Sequence, residues 1–283
     1  MIGGAFLATA LLLAAPASEA KPAPWKEVFA LPKSNDGRFF VAVWGDEKGA
    51  VVAVGNGLLV QGQVGGAFTA TELPPRHALY AVWGKGAEDL FAVGPRQLIM
   101  HFADHKWVTE RPQQEGNPRQ LLLYEVGPFF PDTIAAYGPG AGEDGLKRIA
   151  GNWVPLTPRE VTEIRRREGM QDLGNKPCRA DSQRRRVTPE GTAWVVCNDR
   201  SVFLQQGQAF QPRGRLPAHC RGGIQIHGSA IWQADLILNC NGEVWRNHGT
   251  EWEHDSIPDR VEALYATPAC LYAVTKRSIL ARC

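Results

Sequence analysis

Beyond its first fifteen residues the sequence has no long apolar run, and it has little excess of either charge. Of its 283 residues, 31 are Lys or Arg and 29 are Asp or Glu, which gives a net charge of +2. Such a small excess provides no electrostatic footprint for nucleic acid, so we expect no nucleic-acid partner. The lack of a second apolar run of about 20 residues argues against a membrane span in the rest of the chain.

The sequence motifs of common enzyme classes are also missing. There is no Walker loop, no Gly-x-Ser-x-Gly elbow, no His-Glu-x-x-His pair and no EF-hand loop. His101 and His105 are spaced as metal ligands only if they lie on a helix, and the polar segment His248–Asp255 matches no metal motif. We therefore predict no metal, no cofactor and no catalytic residue. The sequence favours a protein that is not an enzyme, although it does not show whether turn carboxylates converge.

Cysteine is absent from the first 177 residues and then occurs six times, from Cys178 to Cys283. An even number of cysteines is typical of disulfides in an oxidising compartment. Residues 1–20 agree with export, because Phe6–Ala15 is an apolar stretch of signal-peptide length and small residues flank Glu19 at the cleavage position. Removing Glu19 with this segment changes the net charge from +2 to +3. We expect an exported, periplasmic or extracellular monomer.

The strongest positive feature is an internal repeat. Phe40–Gly55 and Leu79–Gly94 share Ala-Val-Trp-Gly and Ala-Val-Gly at a constant offset of 39 residues. The unit returns as Ala263–Ala266 and Leu271–Val274, where the chain ends before the unit is complete. A period near 40 with short apolar runs and glycine turns indicates small sheets stacked as modules.

Each unit contains four short runs with the composition of β-strands, the unit of a β-propeller blade. The inner runs are Phe39–Trp44, Ala78–Trp83, Leu121–Val126, Ser182–Val187, Ile224–His227 and Glu262–Ala266. The last unit lacks a fourth run, and Trp25–Phe29 is a lone strand at the other end that can complete it. We predict an all-β fold with residues 21–283 as one six-bladed propeller, closed by this N-terminal strand. Seven blades are the alternative, with one blade inside an insertion.

That insertion spans residues 156–175 and carries the one predicted helix. Thr157 is a suitable N-cap, Pro158 suits the first helical position, and Glu160 completes a capping box. Val161 and Ile164 lie on one helical face, so we expect that face to contact the ring.

The string that runs from Val41 to Trp107, VWG…DLFAVG…LIMHF…W, resembles the repeats of bacterial envelope β-propellers of the BNR, Ycf48-like and WD40-like kind. This resemblance implies the fold more than a chemistry. It implies a binding or assembly protein, and its BNR relatives add a glycan-acting hydrolase or lectin as the alternative. The Asp-box of sialidases is not intact in this sequence.

Tryptophan recurs at matching places of the repeat, which indicates packing between blades rather than sugar binding. The residues concerned are Trp44, Trp83, Trp107, Trp153 and Trp252.

The fourth blade differs from the others because its inner run carries Arg184, Arg185 and Arg186. Arg186 takes the place that Trp44 and Trp83 have in the first two blades. Guanidinium groups at the central channel can donate to carboxylate, phosphate or sulfate, and a strand sends the first and third arginines to one face. We predict an anion site made by this triplet together with residues of the insertion: Arg165, Arg166 and Arg167.

The order of strands in a meander predicts three disulfides. Residues that precede a first strand meet residues that end a second strand, and this pairs Cys178 with Cys197 and Cys220 with Cys240. Cys270 and Cys283 are symmetric about a two-residue hairpin and therefore pair with each other.

Taken together, these features favour an exported, non-enzymatic scaffold whose partner is a protein or an anionic envelope component such as a glycan.

Overall fold

The structure is a computed structural model that describes residues 23–33, 37–74, 77–114, 122–130, 133–138, 145–165, 184–187, 193–197, 199–206, 209–218, 220 and 226–283. Within these ranges it contains 24 β-strands and one α-helix of eight residues. No helix in the described part of the chain is long and apolar enough to cross a membrane. The all-β fold class predicted from the repeat is confirmed.

The strands of the described residues form six four-stranded antiparallel sheets. Sheet 1 contains β2 (Phe39–Gly45), β3 (Ala50–Asn56), β4 (Leu58–Gln63) and β5 (Phe68–Glu72). Sheet 2 contains β6 (Ala81–Gly86), β7 (Asp89–Val93), β8 (Ile99–Ala103) and β9 (Lys106–Arg111). Sheet 3 contains β10 (Glu125–Phe130), β11 (Thr133–Tyr137), β12 (Leu146–Ile149) and β13 (Asn152–Pro155).

The other three sheets follow the same meander. Sheet 4 contains β14 (Arg184–Val187), β15 (Ala193–Val196), β16 (Ser201–Gln206) and β17 (Ala209–Arg215). Sheet 5 contains β18 (Ile226–Trp232), β19 (Asp235–Cys240), β20 (Glu243–His248) and β21 (Glu251–Asp255). Sheet 6 contains β22 (Val261–Ala266), β23 (Leu271–Thr275), β24 (Ser278–Arg282) and the N-terminal strand β1 (Lys26–Ala30).

The N-terminal strand is therefore the outer strand of the last sheet. Lys26 pairs with Ala281 and Ala30 with Ser278, and Leu31 continues the contact by donating its N–H to the carbonyl of Arg277 at 2.7 Å. This is the pairing predicted for Trp25–Phe29. It joins the two ends of the described chain in one sheet.

Among the described residues, apolar clusters connect the sheets in the order 4, 5, 6, 1, 2 and 3, which covers five of the six junctions of a ring. One cluster joins sheets 6 and 1 through Tyr272 and Phe40, and the next joins sheets 1 and 2 through Trp44 and Leu90. Others join sheets 2 and 3, sheets 4 and 5, and sheets 5 and 6. The second strand of each sheet is the most buried because it is covered on both faces. Sheets packed face to face in this cyclic order form a β-propeller.

Helix α1 (Pro158–Arg165) lies on sheet 3. Thr157 and Glu160 form the capping box, with the Glu160 N–H donating to Thr157 Oγ1 at 3.3 Å and the Thr157 N–H donating to Glu160 Oε2 at 2.8 Å. Val161 and Ile164 pack with Tyr137 on the face of sheet 3 that is turned away from sheet 2. The helix thus covers the third sheet where the chain passes toward the fourth.

Two inner strands begin later than their apolar runs predict. The run that starts at Ala78 forms strand only from Ala81, and the run that starts at Leu121 forms strand only from Glu125. The reason is that Leu79 and Leu123 are buried linkers between sheets, each donating its N–H to a carbonyl of the preceding sheet. Leu79 and Leu123 are apolar because they are buried between two sheets, not because they belong to a strand.

Two of the three predicted disulfides are present. Cys220 is bonded to Cys240 and Cys270 to Cys283, with Cα–Cα distances of 5.8 and 4.2 Å. None of the cysteines in the described residues is free. Cys178 lies outside the described residues, so its pairing with Cys197 stays a prediction.

Candidate functional site

The predicted arginine triplet lies on β14, the inner strand of sheet 4. Arg186 pairs with Trp194 in the register in which Trp44 pairs with Val52 and Trp83 with Phe91. The backbone register therefore places Arg186 where the first two sheets have tryptophan, as the sequence predicts.

The second half of the predicted anion site belongs to the insertion. Arg165 is the last residue of α1, and Arg166 and Arg167 lie outside the described residues. The joining of these three arginines with the triplet of β14 stays a prediction.

In sheets 1, 2 and 3 a glycine at the end of the second strand lies against the start of the inner segment. A Cβ atom on Gly55, Gly94 or Gly138 would lie 1.7 to 2.1 Å from the carbonyl oxygen of a residue at the start of the inner segment. Only glycine allows the two backbones to approach this closely. The inner segments of these three sheets therefore pass the glycine at one level of the ring, and the residues that follow this contact can be compared across sheets.

Four residues whose side chains the structure describes occupy this level, which we call the mouth ring, and the bulge of β18 places His227 at the same level. In sheets 1 and 6 a β-bulge leaves one residue without a cross-strand partner, and in sheets 2 and 3 the matching residue donates its N–H to the last residue of the second strand. Each follows a fully buried apolar residue. The mouth ring consists of Val41, Tyr80, Tyr124 and Glu262.

Tyr80 and Tyr124 of the mouth ring stack on each other across neighbouring sheets. Their ring centroids are 5.1 Å apart with an interplanar angle of 13°. Tyr124 is 40% exposed, which makes it a large aromatic side chain open to solvent beside a buried core. Burial of Tyr80, and next the proximity of Tyr124, raise the pKa of the Tyr80 hydroxyl, so it stays neutral near pH 7.

Glu262 differs from the other half-buried acids of the described chain. Its Oε1 atom is buried and has no hydrogen-bond partner there, and it is the one such carboxylate oxygen among the described residues. The bulge between Val261 and Ala263 places it on β22 without a cross-strand neighbour.

Two other half-buried acids, Glu110 and Asp255, bind the sheets to each other. Glu110, three residues after Trp107, accepts hydrogen bonds from Trp153 Nε1 and Arg148 Nη2 of the next sheet, both at 2.7 Å. Burial raises the pKa of the Glu110 carboxyl, but the hydrogen bonds from Arg148 and Trp153, with the charges of Arg148 and His101, outweigh it and hold the pKa below its ordinary value.

The same arrangement recurs at two other junctions. Asp255, three residues after Trp252, accepts from Trp25 Nε1 at 3.1 Å and from Arg282 at 2.6 and 2.7 Å. Between sheets 4 and 5 the carbonyl of Arg213 accepts from Trp252 Nε1 at 2.7 Å and from Asn247 at 2.9 Å. The tryptophans of the outer strands therefore join sheets, as their repetition predicts.

The histidines noted in the sequence have structural partners. His101 contacts Asp89 at 2.9 Å and Glu110 at 2.8 Å, whereas His105 contacts Glu88 at 2.9 Å. His248 lies 3.4 Å from Asp235. Among the residues described, no group of three His, Cys, Asp or Glu side chains is placed to hold a metal ion.

Sequence reasoning singled out the arginines and missed Tyr80, Tyr124 and Glu262. The signal for them was present, because all three follow the buried residue that precedes each inner strand. Glycine at the end of the second strand marks that position in sheets 2 and 3, but Thr275 replaces it in sheet 6. Only the backbone pairing shows that Glu262 is equivalent to the tyrosines.

Comparison with known proteins supports the fold. No family model matches the sequence, and no curated protein is significantly similar to it. A chain in the crystal structure of a mitotic checkpoint complex is 9% identical with a TM-score of 0.55, covering 98% of this chain and 99% of that one. The extracellular domain of a putative one-component system from B. thetaiotaomicron is 9% identical with a TM-score of 0.57, covering 91% of this chain and 40% of its own.

A further similar structure is YCF48 from Cyanidioschyzon merolae, which is 12% identical with a TM-score of 0.49, covering 92% of this chain and 98% of that one. The chain is a β-propeller repeat protein. At identities this low the similarity concerns the fold and leaves the activity to the residues of the site.

Proposed function

We propose that this β-propeller is a non-enzymatic binding scaffold that recognises a protein partner at its mouth ring. The observation that carries the proposal is the stacked pair of Tyr80 and Tyr124, with Tyr124 40% exposed. Tyrosine supplies a large, rigid contact area with few rotatable bonds, and aromatic residues are enriched at the centres of protein interfaces. A solvent-exposed aromatic stack at the start of two inner strands is such a contact.

The placement of the acids supports binding rather than catalysis. Glu110, Asp255 and Asp235 are each held in short ion pairs with an arginine. A carboxylate that is fully engaged in an ion pair is a poor general acid or base, because the pair must break before the proton can transfer. The ion pairs therefore account for the positions of Glu110, Asp255 and Asp235.

We further propose six blades, with residues 21–283 as one domain closed by β1. The six four-stranded sheets of the described residues and the pairing of β1 with β24 support this count. Export of the protein after removal of residues 1–20 is supported by the two disulfides, which persist in oxidising compartments.

Arg184, Arg185 and Arg186 suit an anionic group of the partner, with Arg165, Arg166 and Arg167 as the further donors. The triplet lies on β14, the inner strand of sheet 4, and the tyrosine pair comes just before the inner strands of sheets 2 and 3, which supports this proposal. Guanidinium groups bind carboxylate, phosphate and sulfate through paired hydrogen bonds. Replacing Arg184 and Arg186 by Gln is expected to weaken binding most at low salt, where charges are least screened.

The test is affinity capture from envelope extract with residues 21–283 as bait, run beside a glycan array. A specific protein captured by the wild type is expected to be lost with Tyr80→Ala/Tyr124→Ala. It is expected to be retained with Val108→Ala/Ile149→Ala, which removes exposed apolar side chains from other strands. Equal capture by both double variants would contradict the mouth ring as the binding face. Glycan binding without protein capture would favour a lectin or glycan hydrolase.

A further inference from the structure

The mouth ring combines apolar and aromatic side chains with an acid whose Oε1 atom has no hydrogen-bond partner among the described residues. Of the four members whose side chains the structure describes, three are Val41, Tyr80 and Tyr124, and the fourth is Glu262. Moving a carboxylate out of water costs free energy unless hydrogen bonds or an opposite charge replace the lost hydration. Buried polar groups therefore almost always have partners, and an exception requires an explanation.

Three other buried or half-buried acids of the described chain have an arginine partner, whereas Glu262 Oε1 has none. Glu110 is paired with Arg148, Asp255 with Arg282 and Asp235 with Arg246, at 2.5 to 2.7 Å. Each of these cations lies within the described sheets and joins strands. Glu262 Oε1 has no equivalent donor in the described residues, although it lies on β22, whose neighbours across the ring are β2 and β18.

We infer that Glu262 is the receptor for a cationic side chain, Lys or Arg, of the partner protein. The inference rests on the proposed function, because it specifies the chemistry recognised at the mouth ring. Lys and Arg combine an apolar stem with a charged head, so the stem can lie along apolar and aromatic side chains while the head reaches the carboxylate. An exposed tyrosine ring also attracts a cation through its π face.

The probes are two labelled, N-acetylated and C-amidated hexapeptides, hexalysine and hexaglutamate, titrated into the folded protein at low salt. Wild type is expected to bind hexalysine, and Glu262→Gln to weaken that binding at least about tenfold, as expected for removal of one charged hydrogen-bond partner. Glu253→Gln, an exposed acid on β21, removes the same charge elsewhere and is expected to leave binding unchanged.

Thermal stability separates a binding role from a structural one. Glu262→Gln keeps the size of the side chain and breaks no ion pair among the described residues, so it is expected to leave the melting temperature unchanged. Unchanged hexalysine binding by Glu262→Gln, or a fall in its melting temperature with no change in binding, would overturn the inference. Equal weakening by Glu253→Gln would show attraction by net charge alone and would also overturn it.

The same variants distinguish this inference from the proposed function. If Tyr80→Ala/Tyr124→Ala abolishes capture of the partner while Glu262→Gln does not, the mouth ring is the binding face and the cation inference is wrong. If neither variant affects capture, the proposed binding face is wrong as well. Loss of capture with both variants supports both.

Discussion

At the scale of single residues, the junctions between sheets follow a rule of position rather than of residue type. The acceptor lies three residues after the aromatic that opens an outer strand: Glu110 after Trp107, Asp255 after Trp252, and the carbonyl of Arg213 after Phe210. The donors are the tryptophan of the next sheet and a residue beside it on the neighbouring strand. A carboxylate and a backbone carbonyl can thus serve in the same place.

Glu110→Gln is expected to destabilise the fold by about 2 kcal/mol, because it leaves Arg148 without its counter-charge in a half-buried site. Urea denaturation measures this change. Asp199→Asn is the control, since Asp199 pairs with Arg215 on the surface and such pairs contribute less than about 1 kcal/mol. Equal losses for the two variants would show that the junction has no special energetic role.

The pH dependence of the same junction has a definite sign. The pKa of the Glu110 carboxyl is lowered by folding, so the junction contributes stability that is fully present above the ordinary pKa of 4.5. That contribution falls as the pH drops below 4.5 and is lost once the pH passes the lower pKa of the folded state. The stability difference between wild type and Glu110→Gln should therefore shrink with acidification. A difference that stayed constant down to pH 3 would contradict this assignment.

Gly45 shows how closely sheets 6 and 1 approach. A Cβ atom at Gly45 would lie 2.3 Å from the Tyr272 ring, whose hydroxyl donates to the carbonyl of Asp46 at 3.0 Å. Burial, followed by the effect of Asp46, raises the pKa of Tyr272 to about 12, which keeps this donor protonated. Gly45→Ala is expected to lower stability by about 1–3 kcal/mol through overpacking. Gly86→Ala, with nothing within 4 Å of the added atom, is the control in the same thermal melts.

At the scale of elements, the closing strand β1 contributes to two junctions. Phe29 contacts Phe40 and Phe68 of sheet 1, with centroids 6.3 and 5.7 Å away, and Trp25 joins Asp255 of sheet 5. Because β1 holds both neighbours of sheet 6, deleting residues 21–30 should lower the melting temperature of the whole domain. Phe29→Ala should do so in part and Lys26→Ala, at an exposed position, should not. An unchanged melting temperature after the deletion would refute closure.

The elements show what the sequence can and cannot predict. The repeat period, the number of strands per unit and the role of Trp25–Phe29 can be predicted from the sequence, because apolar runs and glycine turns mark each strand within a few residues. The capping box at Thr157 is local in the same way. The stack of Tyr80 on Tyr124 and the unpartnered Oε1 atom of Glu262 depend on how neighbouring sheets are set side by side. No spacing within one repeat encodes those contacts, so the sequence marks the positions and the fold shows what their side chains touch.

At the scale of the whole molecule, the disulfide of sheet 6 lies beside the strand pair that closes the ring. The Cys270–Cys283 disulfide ties the start of β23 to the end of β24, and β24 is the strand to which β1 adds. Arg282, next to Cys283, pairs with Asp255 and lies 4.6 Å from the Trp25 ring centroid. Fixing β24 therefore prepares the surface that receives the N-terminal strand.

Loss of this disulfide should consequently loosen the closure. Cys270→Ser/Cys283→Ser is expected to cost about 3 kcal/mol in the chain-entropy account and to speed amide hydrogen exchange in β1. Cys220→Ser/Cys240→Ser, which opens a link of similar size in sheet 5, should lower stability by a similar amount. Under native conditions, where exchange reports local opening rather than unfolding of the whole domain, the Cys220→Ser/Cys240→Ser variant should keep amide exchange in β1 slow. If both variants accelerate β1 equally, the ring opens as one unit, and the disulfide of sheet 6 has no particular part in closing it.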